Sequence, residues 1–167
     1  SVLYDFALKN LPFIGNVVIA LTMAVPFVFG ALIVSDAATS SVQPVLCLSA
    51  IAFLVGLGRE IMKDIEDVKG DASVGARTLP VLIGNKNSAM LAAVFFLSSV
   101  MLSFLPMITF FYGKAVYFLV LITDVLLVNI SRELLYARSL QVLRNGRKNS
   151  LVAVGIGLVA FLLAALF

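Results

Sequence analysis

The chain has 167 residues, of which 62% are hydrophobic and 13% charged, with a formal net charge of +3. A water-soluble domain is about half apolar and a quarter charged, so this balance makes the bilayer the expected solvent. With no histidine and a single cysteine, Cys47, the chain lacks the groups for Ser-His-Asp or Cys-His catalysis, histidine-held zinc or haem, thiolate metal sites and an internal disulfide, and basic residues without aromatic interleaving give no sign of nucleic-acid binding.

The chain opens SVLYDF, without Met and without the basic region of a signal peptide, which reads as a cut point in something longer. Five apolar segments follow. The first spans about Leu11 to Val34 and holds no charge between Lys9 and Asp36. The second spans about Val42 to Leu57, the third Ser88 to Ile108, the fourth Ala115 to Ile130 with Asp124 inside it, and the fifth Leu151 to Phe167. Each approaches the ~20 residues that cross a ~30 Å hydrocarbon core as a helix. Strict alternation is absent, so these are helices rather than barrel strands. Pro12, Pro26 and Pro44 lie in or near the first two, where neighbouring helices can satisfy the freed backbone. The expected architecture is an all-α polytopic transmembrane bundle of about five spans, one domain over residues 1–167. RNGRKNS, residues 144–150, is the clearest turn signal.

Lys and Arg alternate between the connections. Lys9 precedes the first span, and the connection after it has none. The next carries Arg59, Lys63, Lys69, Arg77 and Lys86, the following one only Lys114, and the last Arg132, Arg138, Arg144, Arg147 and Lys148. Positive charge stays inside. The N-terminus and the 59–86 segment are therefore expected on the cytoplasmic face of the cell membrane, and the C-terminus outside.

The charged segment begins REIMKDIEDVKGD at Arg59. Glu60, Asp64, Asp67 and Asp71 are spaced 4, 3 and 4 apart, which on a helix places all four within roughly 60° of one another. Ile61, Ile65 and Val68 form a neighbouring apolar stripe. Like charges one turn apart repel by ~0.2–0.5 kcal/mol per pair, so the stripe calls for a cation. Hard oxygen donors without histidine point to Mg²⁺, which takes one or two carboxylates plus water and substrate phosphates. Lys63, Lys69 and Arg77 are the kind of bases that hold phosphate oxygens, and Gly70 and Gly75 would let the connection turn tightly. The plainer reading is a solvated helix extension whose acids pair with Arg59, Lys63 and Lys69.

These residues resemble the second aspartate-rich motif of the UbiA-type intramembrane prenyltransferases. Asp67-x-x-x-Asp71 is similar to the motif's DxxxD core, Asp64 to an additional upstream acid, and GARTLP at Gly75–Pro80 to its usual tail. The N-terminal LYDFALKNLPFIGN resembles the entry to the family's fifth helix, with Tyr4, Lys9 and Asn16 at the matching places. The details look closest to the branch that builds archaeal-type ether lipids. The resemblance covers the whole chain and implies helices five to nine of a nine-helix fold, with residues 59–86 as a cytoplasmic active-site loop. No NxxxDxxxD first motif is present, so the resemblance implies a missing N-terminal half and a fragment inactive without it.

What the resemblance implies chemically is a Mg²⁺-dependent transfer of a geranylgeranyl group from its diphosphate to a prenylated glycerol phosphate, in the bilayer. Asp67 and Asp71, with Asp64, would be the catalytic metal ligands. Lys69 and Arg77 would meet the diphosphate, with Lys63 nearby, and Lys9, Tyr4 and Asn16 would stand at the substrate mouth. Interfacial anchoring competes for Lys9, Arg77 and Tyr4, and interhelical hydrogen bonding for Asn16. Asp124 either faces the cavity or pairs with a polar group on another helix, the second being favoured. An aromatic or chlorophyll-type acceptor is the alternative within the family. A CDP-alcohol phosphotransferase would need Gly after the second Asp, where Val68 stands, and more acids before Asp124. An ion or solute transporter would spread acids through several spans, and only Asp124 fits.

Overall fold

The structure is a computed structural model that describes residues 13–33, 42–109, 114–136 and 140–166. All the regular elements among them are helices: α1 (Ile14–Ile33), α2 (Val42–Ser73), α3 (Leu79–Thr109), α4 (Lys114–Tyr136) and α5 (Leu140–Leu166). The described part of every apolar segment lies on a helix of its own. Gln43–Ser73, Leu79–Pro106 and Gln141–Leu163 are long and apolar enough to cross a membrane, and Ile14–Gly30 is a shorter apolar helix. The described stretch of α4 carries Asp124, Arg132 and Glu133 and is not among these. Three of the five expected spans thus meet the criteria of length and composition. Large apolar side chains stand exposed around the outside, Phe29, Met101, Ile108 and Phe118 among them, as lipid contact requires.

Helix α2 is the hub. It packs against α1, α3 and α5, while α4 packs against α3 and α5. The result is a ring of α2, α3, α4 and α5 with α1 laid on α2. Phe96, Ile61, Met62, Ile65, Leu127 and Ile130 fill its centre with at most 2% of their surface exposed. Small residues set the approach of the helices, as expected where lipid removes the hydrophobic incentive for helices to associate. Gly56 lies where an added Cβ would come within 3.2 Å of the Ala20 backbone, Gly58 is pressed against the Phe96 ring, and Gly146 faces Met62.

The largest departure from expectation is at residues 59–86. The segment is not a loop. Helix α2 runs on through the acidic stripe to Ser73, and only residues 74–78 separate it from α3. Its end is a Schellman closure: Ala76 N–H donates to the Asp71 carbonyl at 2.9 Å and Gly75 N–H to that of Ala72 at 3.3 Å. Gly75 takes the left-handed conformation, φ +71°, that such a closure needs. Gly70, expected to help the turn, is instead an ordinary helical residue with open space around its α-carbon. Beyond Thr78, Pro80 sits in the first turn of α3 where it is tolerated, and Gly84, φ +81°, kinks the helix before Ser88.

A second departure is RNGRKNS. Those residues are helical, part of the first half of α5. Asn and Gly are turn formers by local propensity only, and here packing overrides it: Gly146 is needed against Met62. Replacing Gly75 by Ala should destabilise the connection by about 1 kcal/mol, because a Cβ disfavours the left-handed conformation. Gly70→Ala should be neutral or stabilising by about 0.5–1 kcal/mol. Thermal unfolding of the two variants in one detergent compares them directly.

Candidate functional site

The acids of α2 are not equivalent in the folded chain. Glu60 is paired with Lys63, Oε2 to Nζ 3.6 Å. Glu66 is buried against α5, with Arg147 Nε 3.5 Å from one carboxylate oxygen and Arg144 Nε 3.8 Å from the other. Asp64 accepts a 2.8 Å hydrogen bond from the amide Nδ2 of Asn16 on α1. Asp67 is exposed and Asp71 half-exposed. Neither has a basic side chain within ion-pair distance among the described residues.

The position of Asp71 adds to its negative field. It is three residues from the helix's C-terminal cap, at the end where the peptide dipoles already place partial negative charge. Carboxylates are unfavourable there and cations favourable. Asp67 and Asp71 are therefore the side chains chemically able to attract a divalent cation. The whole stripe does not close around one ion, however. No three acidic side chains gather as a metal cluster among the described residues. The physical reason is helical rise: Asp64 and Asp71 share a direction, but seven residues at ~1.5 Å each separate them by about 10 Å along the axis. Such a face fits a cation that takes one or two carboxylates and leaves its other positions to water or phosphate oxygens.

Asn16 joins the site because α1 and α2 are antiparallel neighbours. Phe13, at φ +72°, starts α1 with its carbonyl accepting from Val17 N–H at 3.0 Å. Its ring stacks on Phe95 of α3, centroids 6.1 Å apart. That anchor fixes the first turn of α1, and Asn16, 8% exposed, points at Asp64.

The other sequence-selected residues are placed as follows. Lys63 is committed to Glu60, while Lys69 on the last turns of α2 and Arg77 in the connector are exposed. Tyr4 and Lys9 lie outside the described residues. Asp124 on α4 is buried and accepts a 2.8 Å hydrogen bond from Ser103 on α3, the cross-helix pairing favoured from its position in the sequence.

Two features escaped the sequence reading. The Arg144–Glu66–Arg147 cluster was hidden by reading RNGR as a turn, although two arginines three residues apart share a helical face. Arg59 lines a cavity of about 290 Å³ between α1, α2, α4 and α5. The sequence suggested only that it pairs with the neighbouring acids.

The model of the UbiA prenyltransferase family matches residues 1–144, and the chain belongs to that family. Similar proteins include the digeranylgeranylglyceryl phosphate synthases of Archaeoglobus fulgidus, 42% identical over 97% of this chain and 55% of that protein, and of Pyrococcus abyssi, 37% identical over 98% of this chain and 56% of that protein. A solved structure described as giving insights into digeranylgeranylglyceryl phosphate synthase in membranes superimposes with a TM-score of 0.88 at 32% identity, over 98% of this chain and 56% of that one. The chain thus spans a little over half the length of these relatives.

Removing the Asn16 amide leaves the half-buried Asp64 carboxylate without its donor. Asn16→Leu should cost about 1.5–3 kcal/mol, the range for a hydrogen bond to a charged group, read as a lower unfolding midpoint. Asp64→Asn keeps an amide partner and should cost less.

Proposed function

We propose that this chain forms the second-motif half of a Mg²⁺-dependent prenyltransferase. In this reading a geranylgeranyl group passes from its diphosphate to the free hydroxyl of geranylgeranylglyceryl phosphate, in ether-lipid synthesis. The observation that carries it is the division of the acids. Glu60 and Glu66 are neutralised by lysine and arginine, while Asp67 and Asp71, the pair that matches DxxxD, are left without a base among the described residues. The names of the relatives favour the ether-lipid acceptor over an aromatic or chlorophyll-type one.

Asp67 and Asp71 would hold the metal, with Asp64 oriented by Asn16 beside them. When bound, Mg²⁺ would neutralise charge on the departing diphosphate. Lys69 and Arg77, exposed on either side of the Schellman closure, would take diphosphate oxygens as the carbon–oxygen bond breaks. The apolar walls of the bundle would keep water from the allylic cation. The acceptor hydroxyl would then form the new ether bond, its proton passing to the released diphosphate. The remaining metal ligands and part of the cavity wall would come from the portion that the relatives have beyond this chain, and the acidic motif would face the cytoplasm.

In the full-length protein, Asp67→Asn and Asp71→Asn should each lower Mg²⁺-dependent transfer of labelled geranylgeranyl diphosphate by roughly a hundredfold or more, the usual loss of a group that stabilises developing charge. Chelation should abolish transfer in the wild type. Unchanged transfer in both variants would remove the metal-ligand assignment.

A further inference from the structure

The cavity between α1, α2, α4 and α5 is walled by apolar side chains, Met23, Phe27, Val55, Leu127, Leu151 and Leu158 among them. At about 290 Å³ it lies near the lower end of small-ligand sites, ~300–1,000 Å³. Arg59 is the one charged residue in its lining. Thr123, the one lining hydroxyl, donates to the Leu119 carbonyl of its own helix at 3.1 Å. Arg59 Nε is buried and meets no acceptor among the described residues. Leaving a buried guanidinium N–H unmatched is costly; the negative charge of Glu60 acts on Arg59, but no carboxylate reaches ion-pair distance of it among the described residues. Glu60 is committed to Lys63, and Glu66 is spread over Arg144 and Arg147. The positive charge of Arg147 also acts on Arg59, more weakly than the negative charge of Glu60.

This corner carries three guanidinium groups against one carboxylate not already taken by lysine, and it opens on an apolar chamber. We infer that Arg59, reinforced by Arg147, is an anion seat for the phosphomonoester head of a single-chain amphiphile whose hydrocarbon occupies the chamber. A phosphomonoester brings close to two negative charges near neutrality, against one for a fatty acid, and its oxygens match the guanidinium fork. The seat is separate from the exposed Asp67–Asp71 face and needs no divalent ion. That its occupant is the acceptor of prenyl transfer rests on the function proposed above; the seat itself rests on the chamber and the unmatched arginine.

The test is binding of dodecyl phosphate to the full-length protein in nanodiscs, with chelator present, against dodecanol, dodecanoate and inorganic phosphate. Dodecyl phosphate should bind at least about tenfold tighter than dodecanol, the worth of one charge-assisted contact, and tighter than dodecanoate or free phosphate. Arg59→Met should abolish the preference over dodecanol, Arg59→Lys should restore part of it, and Arg147→Met should weaken it. Asp67→Asn should leave it intact while Mg²⁺-dependent binding of an isoprenyl diphosphate analogue is lost, which separates this seat from the metal site. Equal binding of dodecyl phosphate and dodecanol by the wild type would overturn the seat. So would a preference surviving in Arg59→Met, and inorganic phosphate bound as tightly as the amphiphile would overturn the role of the chamber.

Discussion

A helix of 32 residues cannot be hidden in a bilayer. At ~1.5 Å per residue α2 is about 48 Å long, against a hydrocarbon thickness of ~30 Å. Its apolar half, up to Gly58, matches most of that thickness. Its charged half has to lie at or beyond the interface. Because the helix is continuous, the apolar wall of the chamber and the acidic face belong to one rigid body. The distance between the arginine at the chamber rim and the exposed aspartates is then set by helical geometry, without reliance on a flexible connection.

Electrostatics sorts the charges along that rod. Those turned toward the bundle are met locally: Glu66 is neutralised by two arginines of α5, and Asp64 accepts a hydrogen bond from an amide of α1. Those turned away keep their field. Asp71 adds a full negative charge to the negative end of the helix dipole, a combination that only a cation relieves. The asymmetry follows from which helix lies on which side of α2. In an isolated helix only the Glu60–Lys63 pair and the helix dipole at Asp71 would rank the five acids; the burial of Glu66 and the amide on Asp64 come from the neighbouring helices.

The helical character, the number of helices and the motif that carries the family were all legible in the residues. Apolar runs of spanning length admit few alternatives, and the 4-3-4 spacing of acids has meaning only on a helix. The loop at 59–86 came from the resemblance alone; the acid spacing already placed residues 60–71 on a helix, and of the two glycines expected to turn the chain only Gly75 does so. RNGRKNS was misjudged on local propensity. Its Gly and Asn are genuine turn formers, and only the close approach of Met62 to Gly146 explains their place in a helix. Convergence on Glu66, and the hydrogen bond from Asn16 to Asp64, join residues 48 or more positions apart in the chain. No local pattern encodes such pairings; they follow from how α1 and α5 seat on α2.

The buried serines lead to a different kind of conclusion. Ser88, Ser99, Ser131 and Ser150 are at most 1% exposed, and each hydroxyl bonds to a carbonyl of its own helix three or four residues back. Their polarity is discharged before it reaches a neighbour. At these four contacts the helices meet through size alone, so serine there is sterically a slightly enlarged alanine. Exchange between the two leaves the interlocking of the bundle intact, whereas Ser103, whose hydroxyl reaches Asp124 across an interface, has no such freedom.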